Sequence, residues 1–407
     1  MAQTIFSPAD IYLPMYQPSD ERWMKWSVIA CDQFTSEIEY WENAYDFVGD
    51  EPSTLHLILP EAFLEGEKAD EYKKHVLDSM NRVPQWTTCY ENALIYIERI
   101  LPDGHIRRGI VGKIDLDHYD YHKGANLEVL PTEATVEKRI PPRVKIRAEA
   151  DYELPHIMVF SNAGDSLISY SLNHKNELTK IYDFDLMAGG GHLTGYLLTG
   201  EALKKTIASI EEYEKNRTSN NEMCYAIGDG NHSLAAAKAF HEQEGTEASR
   251  YALCEIVDIS DDAIEFEPIY RIIKNCNPDD VLAKLTNYCE SSLKDSNDEG
   301  QRLIAVFGTN ETALSIRPKN GLVTGALQDF IDEYVSQNDG TECDYIHGEQ
   351  SVKALSSKPN TIGFVFEGIK KEELFSSIDA YGVLPRKTFS MGSAYSKRYY
   401  TEIRKIK

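Results

Sequence analysis

The stretch MCYAIGDGNHSLAAAKAF, Met223 to Phe240, carries the sharpest signal in the 407-residue sequence. Its apolar start, Met223 to Ile227, reads as a buried strand. Gly228-Asp229-Gly230-Asn231-His232-Ser233 follows, then an alanine-rich helix expected from about Leu234 to Gln243. Strand, glycine loop and helix start in succession make a ready anion site. The first helical N–H groups are unpaired and the helix dipole is positive there. Gly228 and Gly230 permit positive φ and close backbone approach. Asn231, His232 and Ser233 offer donors to phosphate oxygens, and Asp229 offers a magnesium ligand or a base. The same residues would equally serve a tight turn with an Asn or Ser helix cap. The Lys of a Walker-type phosphate loop is missing.

Outward from this stretch, helical and extended patterns alternate. Trp23 to Ile29 reads extended, Glu37 to Val48 helical, and Thr54 to Leu59 as a short strand. Ala93 to Ile100 and Arg108 to Ile114 read as paired strands around a Pro102-Asp103-Gly104 turn. Ile157 to Phe160 and Tyr251 to Val257 are further strands, and Glu201 to Asn216 is an amphipathic helix. The polar stretches Lys294 to Arg302 and Ser336 to Asp344 read as loops or boundaries. This interleaving predicts a mixed α/β fold. Three regions are expected: an N-terminal α/β region 1–130, a central region 131–293 that carries the loop, and a C-terminal region 294–407.

Composition narrows the function. Lys plus Arg is 42 and Asp plus Glu is 66, a formal net charge of −24. So acidic a surface disfavours nucleic acid and anionic lipid, since phosphate contacts need a basic face. A local pocket for a small anion stays open. No run of ~18–20 apolar residues predicts a membrane helix, and the N-terminus lacks the pattern of a signal peptide. The seven cysteines form no CxxC pair, which fits reduced thiols in a cytoplasm.

Several separated motifs carry a resemblance. The Gly228–Ser233 loop resembles the DGHHR-type loop of the domain of unknown function 1015 family of bacteria and archaea. Asp32-Gln33-Phe34-Thr35-Ser36 with Tyr40-Trp41 is similar to an N-terminal signature of one branch. Thr132 to Thr135 through Arg139-Ile140-Pro141-Pro142-Arg143 is similar to its central motif. Glu267-Pro268-Ile269-Tyr270-Arg271, Tyr345-Ile346-His347 and Leu384-Pro385-Arg386-Lys387-Thr388-Phe389 resemble later ones, in the right order. The loop in turn resembles the phosphate loop of the ParB/sulfiredoxin-like superfamily, which includes nucleotide-binding switches, sulfinic-acid reductases and a free-serine kinase. The resemblance implies a ParB/sulfiredoxin-like phosphate-binding core with elaborations at both ends, and nucleotide or phosphate handling.

One departure matters. Asn231 stands where the family loop has its first His, and Ser233 where it has Arg. Only Asp229, Gly230 and His232 carry over. The missing Arg removes a bidentate phosphate donor, so either Arg139, Arg143 or Arg271 replaces it in space or affinity for phosphate is weaker; Arg139 and Arg143 are expected to face the loop. Glu133 is the candidate general base beside these arginines, and Lys387 and Thr388 are candidate phosphate contacts. The bland alternatives are a surface salt-bridge cluster and a solvated lysine.

Weaker signals remain. Ala188 to Gly195 (AGGGHLTG) reads as a hinge or a flexible turn. His118 and His122 have helical metal-ligand spacing in a segment that does not read as a helix. Cys224 lies on the strand, outside the loop, which disfavours reductase chemistry.

These readings converge on a cytoplasmic enzyme that binds ATP or ADP with magnesium at Asp229. It would transfer or remove a phosphoryl group on a small metabolite, serine or phosphoserine first, through Glu133, Asp229 and His232. The competing class is a non-catalytic nucleotide-responsive binding protein. A nuclease or DNA-partitioning factor is a third, which the charge opposes. The oligomeric state is open.

Overall fold

The Ala93–Ile100 and Arg108–Ile114 runs, rich in β-branched and aromatic residues, fall within the spine of the larger sheet. In the computed structural model, which describes residues 4–64, 69–294 and 300–407, the strands are Thr87–Ile100 and Ile106–Asp115. They pair antiparallel from Ile95 opposite Val111 to Ile100 opposite Ile106. The sheet runs Val129–Pro131, Tyr225–Asp229, Met158–Ser161, Tyr251–Asp258, Ile106–Asp115, Thr87–Ile100, His192–Leu198, Thr179–Asp185. Two of its pairings are parallel, Tyr225–Asp229 with Val129–Pro131 and Tyr251–Asp258 with Met158–Ser161. The fold is therefore mixed α/β.

Both faces of this sheet are covered. Leu253, Ile95, Ile97 and Val111 join one apolar cluster, while their strand neighbours Cys254, Leu94, Tyr96 and Ile110 join another. That division follows from the alternation of side chains along a strand. It explains why the strands read as continuous apolar runs rather than as half-buried ones. Helix Gly200–Ser219 adds Ala202, Ile210 and Tyr213 to the second cluster.

Contacts divide the chain into two compact units. Unit 1 is Met1–Pro131, Thr135–Ile264 and Gly392–Lys407, and unit 2 is Thr132–Ala134 with Glu265–Met391. The sequence placed its divisions at 130/131 and 293/294 instead. Residue 294 lies inside unit 2, and of the polar stretch behind it residues 295–299 fall outside the described residues. The chain's last residues rejoin unit 1 through a Tyr12–Ile403 bridge and the pairing of Tyr399–Tyr400 with Val28–Ile29. Unit 2 carries an antiparallel sheet in the order Asn310–Ile316, Gln301–Phe307, Thr361–Phe366, Phe266–Lys274, Glu342–His347. Helices Pro278–Leu293 and Val323–Gln337 add Leu285 and Leu327 to its core.

Some local expectations change. Trp23–Ile29 is a helix, Arg22–Trp26, followed by a short strand, Val28–Ile29. Trp23 and Trp26 are both fully buried, and their three-residue spacing is that of a helix face. Thr54–Leu57 is a 3-10 turn, with Ser53 Oγ accepting from the Leu55 amide. The loop helix runs Asn231–Glu244, three residues earlier than expected.

Candidate functional site

The early start of that helix alters the chemistry of the loop. Strand Tyr225–Asp229 ends one residue before Gly230, which caps the helix at φ +80°. That φ favours glycine, and a Cβ there would also lie 3.1 Å from Ile157 Cα. At Gly228 a Cβ would lie 2.5 Å from the Phe160 ring, so neither position admits a side chain without movement. Asn231, His232 and Ser233 thus form the first helical turn, in which the Ser233 amide already donates to the Gly230 carbonyl at 2.9 Å.

Each loop side chain has a definite place. Asp229 Oδ1 accepts from the Gly230 amide at 3.0 Å, and Asp229 Oδ2 lies 3.3 Å from Lys397 Nζ. His232 Nε2 accepts from the Val136 amide at 3.3 Å, which ties the loop to the segment leading to Arg139 and Arg143. Asn231 Oδ1 and Thr135 Oγ1, each next in sequence to that bonded pair, are buried without a hydrogen-bond partner among the described residues. Ser233 lines a cavity of about 200 Å³ together with Arg143, Cys31, His156 and Tyr400. Much of the remaining lining is aliphatic, from residues such as Leu57, Val76, Met80 and Ile146.

A second group, not singled out for chemistry in the sequence, surrounds the loop. His156 Nε2 lies 3.7 Å from Asp32 Oδ2, and His156 Nδ1 bonds the Tyr400 hydroxyl at 2.7 Å. Tyr400 OH donates onward to Cys31 Sγ at 3.1 Å. Burial alone would push the Asp32 carboxyl up. His156, a hydrogen bond from Gln33 and the charge of Lys397 outweigh it and hold Asp32 below the usual carboxylate range. Lys397 therefore acts on two carboxylates, Asp229 and Asp32. Burial, together with the Asp32 charge, pushes the Cys31 thiol up to about 12, so it is no nucleophile at neutral pH.

The expected arginines and lysine divide. Arg143 pairs with Glu61 on the cavity wall, and Arg143 Nη1 donates to the Arg139 carbonyl. Arg139 itself is exposed. The remaining candidates belong to unit 2 and are engaged within it. Arg271 is fully buried and donates to the carbonyls of Ile269, Arg386 and Lys387 and to Gln328. Glu133 accepts from the amides of Lys387 at 2.9 Å and Thr388 at 3.2 Å, while the Thr388 hydroxyl donates to Pro385 O. Burial raises the Glu133 carboxyl despite those donors. Glu133 and Arg271 thus order the segment 384–389.

Among the described residues no three His, Cys, Asp or Glu converge as a metal cage. Asp229 offers one carboxylate, a donor set that fits magnesium, an ion usually held by one or two carboxylates with substrate phosphates and water. His118 bonds Glu128, and His122 bonds Asp120. The Ala188–Gly195 stretch is a short turn, Met187–Gly189, leading into strand His192–Leu198, and Gly190 O is held by Arg99. No helix among the described residues is long and apolar enough to cross a membrane.

The Asp32–His156–Tyr400–Lys397 group escaped the sequence because its members lie far apart in the chain. The signal available was the polar Asp32-Gln33 pair inside an aromatic-rich segment, together with a C-terminal SKRYY that ends in two tyrosines.

A family model described as "Protein of unknown function (DUF1015)" matches residues 15–377. None of the curated proteins matches. Solved structures with a similar course include a free serine kinase in complex with AMP, at 14% identity and TM-score 0.40, covering 72% of this chain and 91% of that one. A conserved hypothetical protein from Pyrococcus furiosus is 13% identical at TM-score 0.37, covering 70% and 92%. SbnI with a C-terminal truncation, from Staphylococcus aureus, is 11% identical at TM-score 0.36, covering 71% and 85%.

Proposed function

Because this chain belongs to the DUF1015 family, whose description assigns no activity, we propose a function from the site itself: nucleotide-dependent phosphoryl transfer to a small hydroxyl-bearing metabolite, in unit 1. The observation that carries it is Lys397, 3.3 Å from Asp229 at the head of helix Asn231–Glu244 and acting electrostatically on Asp32. A lysine between two carboxylates and an amide-rich helix start is a pre-formed seat for transferring phosphate. Phosphoryl transfer depends mainly on positioning and charge.

In this reading the Asn231 amide and the side chains of Asn231, His232 and Ser233 take phosphate oxygens, with Lys397 and Arg143 supplying positive charge. The aliphatic cavity beside Ser233 takes an apolar ring such as a nucleobase. Magnesium, held by Asp229 and the phosphates, would supply further charge neutralisation. Asp32, ionised at neutral pH, accepts the proton of the attacking hydroxyl as its oxygen bonds to phosphorus and the nucleoside diphosphate leaves. The base role expected of Glu133 passes to Asp32, since both Glu133 oxygens already accept backbone amides. The loop's likeness to that of a free-serine kinase makes serine the first acceptor to try, and phosphoserine the substrate of the reverse direction.

The test is product analysis of the full chain with ATP, magnesium and a panel of hydroxylated metabolites. Formation of ADP and a phosphorylated product, lost in Asp32→Asn, supports the reading. Saturable nucleotide binding without product across the panel would replace it with the binding-protein alternative.

A further inference from the structure

Unit 2 contains a cavity of about 560 Å³, lined by none of the residues assigned above to phosphate handling. On one side the chain makes a tight turn in which Lys319 and Leu322 exchange backbone hydrogen bonds at 3.2 and 3.1 Å. Helix Val323–Gln337 starts there without a side-chain cap, so its first amides are unmatched. Thr324, in that first turn, lines the cavity and is 3% exposed, and among the described residues no side chain or carbonyl bonds its hydroxyl. The hydroxyl opens onto the cavity, where a ligand or a water can bond it. Arg302, exposed at the cavity edge on strand Gln301–Phe307, has no ion pair among the described residues.

The remaining charges are of opposite sign. Glu349, Glu367 and Glu373 line the same cavity, with Lys370 between the last two in sequence. Glu349 is paired with Lys353, and Glu373 reaches back to the Lys370 amide. Glu367 is the least engaged, at 3.7 Å from Lys370 and 81% exposed. Three carboxylates against Arg302 and Lys370 leave the wall net negative. A purely anionic ligand would oppose that balance, and a purely cationic one would leave Thr324 and the helix amides unmatched.

We propose that this cavity binds a small zwitterion of the amino-acid class. Its carboxylate meets the amides of Val323 and Thr324, the Thr324 hydroxyl and the Arg302 guanidinium. Its ammonium meets the acidic wall at Glu367 and Glu349. The volume lies within the ordinary range for small-molecule sites. The proposal is independent of the phosphoryl-transfer reading, because every residue it uses lies in unit 2.

The test is calorimetric titration of the full chain with the amino acids, in pools and then singly, beside inorganic phosphate, propionate and propylamine. At least one amino acid should bind saturably. Arg302→Gln, a change of an exposed side chain, and the near-isosteric Thr324→Val should each weaken binding about tenfold or more. Lys397→Met, in unit 1, should leave it unchanged. Thermal unfolding checks that the variants are folded, and Arg302→Gln decides the matter if Thr324→Val is not. The proposal is overturned if no amino acid binds, or if binding survives Arg302→Gln. Loss of binding in Lys397→Met, which would place it in unit 1, also overturns it. So does binding of phosphate, propionate or propylamine as tight as that of the best amino acid.

Discussion

Lys397 Nζ and Asp229 Oδ2 lie 3.3 Å apart, and each side chain is less than a fifth exposed. The pair joins the C-terminal segment to the tip of strand Tyr225–Asp229. In the function proposed above, its cation takes part in holding phosphate at the first turn of the following helix. Lys397→Met should weaken nucleotide binding about tenfold or more, because it removes a charge-assisted contact to phosphate. Lys397→Arg should restore part of the loss. The check is calorimetric titration with ADP and magnesium, and equal affinity in wild type and Lys397→Met would contradict the role.

Asp32→Asn should lower turnover about 10²-fold or more if Asp32 takes the hydroxyl proton, with nucleotide affinity little changed. Its pH signature follows from the downward shift. A carboxyl held below its ordinary value of 3.8 stabilises the folded chain above that value, and the contribution disappears as pH falls through the folded value. The stability difference between wild type and Asp32→Asn should therefore be flat from pH 8 to pH 5 and should shrink below about pH 4. Denaturant unfolding across that range reads it out, and a difference that grows on acidification would contradict the assignment.

Gly230→Ala places a Cβ at φ +80°, 3.1 Å from Ile157 Cα. The left-handed conformation alone costs roughly 1–2 kcal/mol for an L side chain, and the contact adds to it. The expected result is a chain destabilised by about 2 kcal/mol that has also lost nucleotide binding. Gly245→Ala, at φ +64° with open space around it, provides the comparison. It should show the conformational cost with binding intact.

Arg271→Met separates fold from chemistry in unit 2. The guanidinium donates to three backbone carbonyls and Gln328, so its loss leaves buried acceptors unpaired at about 1–3 kcal/mol each. Thermal unfolding should show a destabilisation of about 3 kcal/mol or more. A variant as stable as wild type, yet impaired in phosphate binding, would return Arg271 to the ligand role expected from its sequence.

The sequence made the strands and amphipathic helices legible because burial on two sheet faces writes continuous apolar runs, as in Tyr251–Asp258. It made the glycine loop legible because Gly228 and Gly230 meet Phe160 and Ile157 so closely. It did not make Trp23–Trp26 legible as a helix, since a five-residue helix shows too little of its period. The partners of the loop were hidden by topology. Asp32, His156 and Lys397 come together only through the sheet order and the return of the last residues to unit 1. Glu133 misled for a related reason. Its spacing from Arg139 and Arg143 suggested a shared site, while its carboxylate caps backbone amides at Lys387 and Thr388.

The central claim is that the Gly228–Ser233 loop receives nucleotide phosphate, and His232 tests it most directly. Its imidazole accepts a hydrogen bond from the Val136 amide, so the ligand-free melting point of His232→Ala is taken as its own baseline. The measurement is thermal unfolding of both proteins with and without ATP and magnesium. Wild type should show a clear upward shift that is absent in His232→Ala; equal shifts in the two proteins, or none in wild type, would contradict phosphate binding at the loop.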